Sequence, residues 1–304
     1  MVLSFLKILL IVPFTVAVIV EALFLVLIQI ILLPTLLFTQ RWMFHLSARL
    51  AGIGWSWVVF IYVHLAGSRI VVSGLESLPE DPESALIISN HVSFLDFVPL
   101  SRLAQERNMV AYLKYFTKRS VRYIPAFGWA MYLGGFPMLH RRWELDRKSI
   151  EGMFELFKEY RFPIWLVSFV EGSRYSDDKI KASQEFARTR GYKETRWVQA
   201  PRTRGIAASL HGVRGSHIRA VYDVTLAYHD RKLGWMKSPS FWDVIFGRVS
   251  GLTTFVHVER IPIEDIPGAQ IEDANTREEQ VGKWLRERFI EKDLRLESLR
   301  QQLQ

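Results

Sequence analysis

The sequence predicts an α/β protein, with a largely parallel sheet flanked by helices and an N-terminal helical membrane anchor. Three observations carry this reading. Residues 3–38 are nearly all apolar, broken among strongly polar residues only by Lys7, Glu21 and Gln29. From Arg69 onward, short apolar runs alternate with stretches of helical periodicity, the pattern of a sheet with crossover helices. One of these runs, residues 86–89, is continuously apolar, as a strand covered on both faces is.

As a single helix, residues 3–38 would reach ~54 Å at 1.5 Å per residue, well beyond a ~30 Å hydrocarbon core. That helix is expected to tilt, to bend, or to carry one end outside the core, with Pro13 and Pro34 as bend or end points. A second apolar segment, residues 51–66, is short for a span but carries Trp55, Trp57 and Tyr62 as interfacial residues. A secretory signal peptide would have a shorter apolar core followed by a small-residue cleavage site. Residues 1–68 are therefore expected to form membrane-anchoring helices, and residues 69–304 an α/β domain with a long C-terminal helix. The flanking charges Lys7, Arg41, Arg49 and Arg69 do not set an orientation.

Within the second part, residues 69–73 read as a strand, as do 86–89, 164–170, 220–227 and 254–260. Residues 94–106 read as a helix. Residues 143–160 are clearly amphipathic, with Ile150, Met153, Phe154 and Phe157 on one side. Residues 275–303 form a long, charge-laced helix. Sites in such sheets lie at strand ends, and His91 and Glu171 both fall at or just beyond predicted strand ends.

Composition narrows the chemistry. The chain has 304 residues and a formal net charge of +8, which suits an anionic bilayer surface and phosphate-bearing substrates. The basic residues interleave with acids, and no recognition helix, zinc finger or aromatic RNA-binding signature is present, so nucleic acid is not an expected partner. The absence of Cys excludes disulfides, thiolate metal sites and a cysteine acyl-enzyme. There is no Gly-x-Ser-x-Gly elbow, no phosphate-loop glycine-lysine pattern and no His-Glu-x-x-His spacing.

His91 and Asp96 are the most informative pair. Imidazole exchanges protons near neutral pH, and a carboxylate on its far nitrogen fixes the tautomer and stabilises the imidazolium as it forms. On a regular helix a five-residue spacing would hold the two side chains about 140° apart. They meet only if His91 lies in the strand-to-helix turn and Asp96 in the first helical turn. The plainer alternative is a capping box, with Ser93 as N-cap and Asp96 at the third helical position.

Three further motifs are open to two readings each. In residues 169–174, Gly172 lets backbone approach a ligand and Arg174 offers a fork suited to phosphate; an ordinary turn with a solvated arginine is the alternative. Residues 135–142 end in His140, Arg141 and Arg142, a basic group before a helix that also reads as a surface turn. Residues 200–205 form a Pro-punctuated basic loop. Lys114 and residues 124–129 lie between these motifs and either line a groove or simply pack.

Taken together and in order, these motifs resemble the glycerolipid acyltransferase superfamily, whose members include 1-acylglycerol-3-phosphate acyltransferases. Asn90, His91 and Asp96 look like its first block, and Gly135 with Arg141 six residues on is similar to its second. Glu171-Gly172-Ser173-Arg174 looks like the third, and Pro201 stands where the fourth has its proline. Details at residues 125–129, 140–143, 201–205 and 221–225 look most like the lysocardiolipin and lysophosphatidylinositol acyltransferase branch. The resemblance covers about residues 70 to 295. Val170 replaces the proline that usually precedes the third block, and Ser173 the common threonine.

The resemblance implies acyl transfer from acyl-CoA, as co-substrate, to the free hydroxyl of a lysophospholipid at a bilayer. His91 would be the base and Asp96 its support. Arg141, Glu171, Gly172, Ser173, Arg174, Pro201, Arg202 and Lys114 would contact substrate. No metal and no bound cofactor are expected. The expected location is the endoplasmic reticulum membrane in a eukaryote and the cytoplasmic membrane in a bacterium, with the N-terminal segments carrying the anchorage. The alternatives are a CoA-independent transacylase and a catalytically silent lipid-binding protein.

Overall fold

The computed structural model describes residues 2–32, 40–125, 127–140, 142–245 and 249–304. It opens with two apolar helices, α1 (Val2–Leu32) and α2 (Gln40–Phe60), and α2 runs on through one widened turn at Ile61–Leu65. Stretches of both, Ile11–Ile31 and Phe44–Leu65, are long and apolar enough to cross a membrane. Pro13 lies inside α1, and Pro34 falls outside the described residues. The second apolar segment is the later half of a helix that begins at Gln40. Ser47 and Ala48 are already buried in its first half, so packing extends the helix past its apolar stretch.

The remaining elements, in order, are β1 (Arg69–Ser73), β2 (Ala85–Ser89), α3 (Phe97–Gln105), β3 (Leu113–Tyr115), β4 (Thr117–Lys118), α4 (Phe127–Leu133) and β5 (Met138–Leu139). There follow α5 (Trp143–Tyr160), β6 (Trp165–Phe169), α6 (Asp177–Thr189), α7 (Thr203–Gly212), β7 (Ala220–Asp230), β8 (Gly234–Trp235), α8 (Phe241–Ile245), β9 (Leu252–Pro262) and α9 (Ala274–Gln302). The main sheet has the order β1-β9-β7-β2-β6-β3, with β8 added to β7, and β4 and β5 form a separate pair. The sheet is parallel at β1–β9, β7–β2, β2–β6 and β6–β3, and antiparallel at β7–β9 and β7–β8. The fold class is therefore the expected one, with one long antiparallel ribbon built into it.

β2 occupies the centre of the sheet. All five of its residues are buried, which is why its sequence is apolar from Ala85 to Ile88. Where β2 ends, Asn90 extends the pairing with its side chain. Its Nδ2 donates to the Leu226 carbonyl and its Oδ1 accepts from the Leu226 amide, both at 2.8 Å. One carboxamide thus stands in for a backbone rung and lets the main chain turn out of the sheet at His91.

The long α9 lies against the other side of this ribbon through a buried ionic cluster. Lys292 is 0% exposed; it pairs with Asp223 and donates to the Val224 carbonyl at 2.6 Å. Arg288 reaches Asp223 at 2.8 Å and Glu259 at 2.5 Å. Desolvation pushes the Lys292 ammonium below its ordinary value, and Asp223 opposes that shift.

Helix α3 begins later than the capping-box reading expects. Residues 94–96 form a turn, the Asp96 amide donates to the Ser93 carbonyl at 3.4 Å, and Asp96 flanks the helix at its N-cap position. Its carboxylate does not reach forward to the helix amides. It turns back to the Val92 and Ser93 amides at 2.7 and 3.0 Å.

The Asn90 rung generates a prediction. Asn90→Ala leaves the Leu226 amide and carbonyl unpaired in the interior, at a cost of about 1–3 kcal/mol for each group. Thermal unfolding of the purified chain should show a clear fall in midpoint; an unchanged midpoint would mean that water replaces the rung.

Candidate active site

Three loops meet beyond the ends of β2 and β6. The first, residues 90–96, holds His91 and Asp96. The second, residues 170–176, follows β6. The third, residues 199–202, leads into α7. Glu171 is the tie between them: one carboxylate oxygen accepts from the His91 amide and the other from the Gln199 amide, both at 2.7 Å. The His91 carbonyl accepts from the Tyr175 amide at 2.7 Å, so the His91 backbone is held at both ends by the second loop. The Arg202 amide donates to the Val170 carbonyl at 2.7 Å. Ser173 and Gln199 exchange two further bonds at 2.9 Å, one through each of their carbonyl oxygens.

Within this frame the His91 Nδ1 lies 2.8 Å from Asp96 Oδ2. Asp96 is 1% exposed and also accepts two backbone amides, an environment built for a carboxylate. Nδ1 is therefore the donor of the pair, and Nε2 is left as the basic nitrogen. The His91 ring stacks on Phe169, with centroids 4.1 Å apart and planes 17° apart. Its side chain is 21% exposed. The imidazole is thus fixed in plane and tautomer, supported on one face, and open to solvent.

The same loops carry two exposed arginines, Arg174 and Arg202. Gly172 has φ +73°, in the left-handed region that favours glycine. A Cβ there would stand 2.6 Å from the Arg202 Nε, so the missing side chain is what lets the guanidinium lie over the turn. Pro201, half-buried, delivers Arg202 to that position.

Two residues expected to touch substrate lie away from the rim of these loops. Glu171 is buried and spends both oxygens on backbone amides, so it shapes the loops and does not face the rim. Burial raises its carboxyl to about 8, partly opposed by those two amides. Lys114 is 3% exposed and lies in the wall of a cavity between α1, α2 and α4. There its Nζ donates to the Gly134 carbonyl and sits 4.9 and 4.8 Å from the ring centroids of Phe44 and Phe136. Desolvation lowers its ammonium to about 7. Arg141 lies outside the described residues.

That cavity is lined mostly by apolar side chains and opens to solvent; cavity and opening together span about 690 Å³ of atom-free space. Stacked rings connect it to the imidazole. Phe169 follows Tyr115 at 6.2 Å, and Tyr115 follows Phe136, which lines the cavity, at 6.4 Å.

The structure also holds a second His–Asp pair that spacing did not single out. Asp146 Oδ1 lies 3.2 Å from His140 Nδ1, and the carboxylate accepts the His140 and Arg142 amides at 2.7 and 3.1 Å. Here, however, the outer nitrogen is taken: Arg119 donates to His140 Nε2. The contrast isolates what is particular to His91, an imidazole oriented by an acid with its other nitrogen unoccupied among the described residues.

Residues 69–213 match the Acyltransferase family model; this part of the chain is an acyltransferase domain of the glycerolipid acyltransferase superfamily. The chain is similar to the Arabidopsis thaliana protein named "Probable 1-acyl-sn-glycerol-3-phosphate acyltransferase 5", with 31% identity over 241 residues, 78% of this chain and 60% of that one. It is 28% identical to Mus musculus lysocardiolipin acyltransferase 1 over 271 residues, covering 89% and 68% of the two chains. It spans 51% to 60% of the length of four plant relatives. A solved structure of the 1-acyl-sn-glycerophosphate acyltransferase from Thermotoga maritima aligns over 92% of this chain and 96% of its own, at a TM-score of 0.45 and 15% identity.

The Glu171 tie generates a prediction. Glu171→Gln replaces one acceptor oxygen with a donor that faces an amide, so it should destabilise the fold by about 1–3 kcal/mol. The pH dependence follows from the raised carboxyl. Between the ordinary value of 4.5 and about 8 the folded chain keeps a proton that the unfolded chain has released, so the stability contributed by Glu171 falls as pH rises through that window. The gap between wild type and variant in thermal midpoint should narrow from pH 5 to pH 8. A gap that widens would show that the two amides hold the group ionised.

Proposed function

We propose that this chain is a membrane-bound O-acyltransferase that moves a fatty acyl group from acyl-CoA to the free hydroxyl of a lysophospholipid. Lysophosphatidic acid, lysophosphatidylinositol and lysocardiolipin are the acceptor types in view. The observation that carries the proposal is the 2.8 Å His91–Asp96 contact on a side chain that is 21% exposed. Similar proteins named as acyltransferases of glycerophospholipids support the same chemistry.

The His91–Asp96 geometry supports transfer by general-base catalysis. His91 Nε2 takes the proton of the acceptor hydroxyl as its oxygen attacks the thioester carbonyl. Asp96 holds the Nδ1 proton and stabilises the imidazolium. As the tetrahedral intermediate collapses, the carbon–sulfur bond breaks, an ester forms, and the imidazolium returns its proton to the departing thiolate of CoA. The acceptor oxygen is itself the nucleophile, so no acyl-enzyme is required. Arg174 and Arg202, exposed on adjoining loops, suit the phosphate of the acceptor or of CoA, holding it by charge and by paired hydrogen bonds. The two apolar helices would seat the chain in the bilayer that supplies the lysolipid.

The test is transfer of labelled acyl groups from acyl-CoA by the purified full chain, across a panel of lysophospholipids. His91→Ala should lower turnover by about 10²–10⁴-fold and leave membrane partition unchanged; near-normal turnover would reject His91 as the base. Arg174→Ala should raise the KM for the acceptor several-fold with little change in kcat, and an unaltered acceptor saturation curve would remove it from the binding role.

A further inference from the structure

The cavity beside Lys114 contains polar atoms that the transfer steps above do not use. Its α1 wall presents Val18, Glu21, Leu25 and Gln29, one face of the helix. Gln29 is 1% exposed, and neither its carboxamide oxygen nor its nitrogen has a hydrogen-bond partner among the described residues. Glu21 Oε1 is buried and unpartnered in the same way. The Gln29 amide and the Lys114 ammonium both lie near Gly134. Lys114 donates to the Gly134 carbonyl, and a Cβ on Gly134 would stand 3.8 Å from Gln29 Nε2.

Buried polar atoms left unpaired are costly, so a partner is expected for them. On a helix apolar enough to span a bilayer, polar side chains turned toward an interior space mark a ligand or a pathway. The chemistry of the free atoms narrows the ligand. A carboxamide with donor and acceptor both free matches a group that both accepts and donates, which a hydroxyl does and a methylene does not. The apolar remainder of the lining matches hydrocarbon.

Dimensions agree with a long chain. From Val18 to Gln29, α1 rises about 16 Å. Lys114 is paired with Leu166 in β6, three residues before the Phe169 that supports His91, or about 10 Å along the strand. The polar cluster therefore sits part-way down a chain whose carbonyl is at the imidazole.

We propose that this cavity receives a fatty chain bearing a mid-chain hydroxyl, with Gln29 as the residue that reads the hydroxyl and Lys114 and Glu21 beside it. The assignment rests on the acyl-transfer reading. The hydroxylated chain arrives either on the acyl donor or on the lysolipid.

The first measurement is binding, independent of turnover. The full chain in detergent micelles is titrated with stearate and with a hydroxystearate whose hydroxyl is in mid-chain. The hydroxy acid should bind about tenfold more tightly or better, and Gln29→Leu should erase the difference by weakening the hydroxy acid and strengthening stearate. Equal affinities in the wild type, or an unchanged ratio in Gln29→Leu, overturn the proposal. The second measurement is transfer, with the hydroxyl placed on the acyl-CoA in one arm and on the lysophospholipid in the other. A gain in kcat/KM in one arm identifies the source of the chain. Turnover with no gain in either arm overturns the proposal. A binding preference with no turnover from any donor leaves the cavity assignment standing and rejects the acyl-transfer function instead.

Discussion

One buried carboxylate holds the candidate site together. Glu171 accepts the His91 amide with one oxygen and the Gln199 amide with the other, and so joins loops that are far apart in the chain and leave different elements. Without it, the position of His91 relative to the rim arginines would depend on loop backbone alone. Loops of this kind are soft unless their polar groups are satisfied internally. Here nearly every backbone group around His91 has a named partner: its amide, its carbonyl, and the next two amides, which Asp96 takes. The catalytic proposal needs an imidazole that does not wander, and this network supplies one.

The central strand and the antiparallel ribbon explain why those loops converge. β2 lies between β6 and β7, parallel to both, so the loops leaving β2 and β6 emerge side by side at one edge. Asn90 closes the last gap to β7, and the Lys292–Asp223–Arg288 cluster fixes α9 beneath the same ribbon. The energy of such buried charges lies largely in being paired, and removing one partner strands the other. The rigid part of the molecule is thus the sheet behind the site, and the polar loops in front inherit its geometry.

The aromatic sequence from His91 through Phe169, Tyr115 and Phe136 relates the reacting centre to the cavity beside the apolar helices. It gives the imidazole a non-polar floor. The two halves of the molecule then share one task. On the proposed function, the sheet edge would handle the polar, reacting end of a lipid, and the helices would enclose its apolar length.

The sequence by itself determined the class of fold, most elements of the main sheet and the identity of the central pair. Apolar runs and helical periodicity depend on burial, and burial follows from local pattern: residues 143–160, amphipathic on sight, form α5 with the same bounds. Tertiary structure alone decided which side chains act outward and which serve the frame. Glu171 and Arg174 stand three positions apart in one motif, yet one is sealed against two amides and the other is exposed. The helix start also moved, because Asp96 finds better partners in the His91 ring and two backward amides than in the helix ahead. The sequence marks Gln29 as a polar interruption of an apolar segment and no more; its meaning depends on Lys114 and Gly134, which lie near it from a distant part of the chain. Proximity between residues so far apart leaves no period in the sequence, and so only the folded chain reveals it.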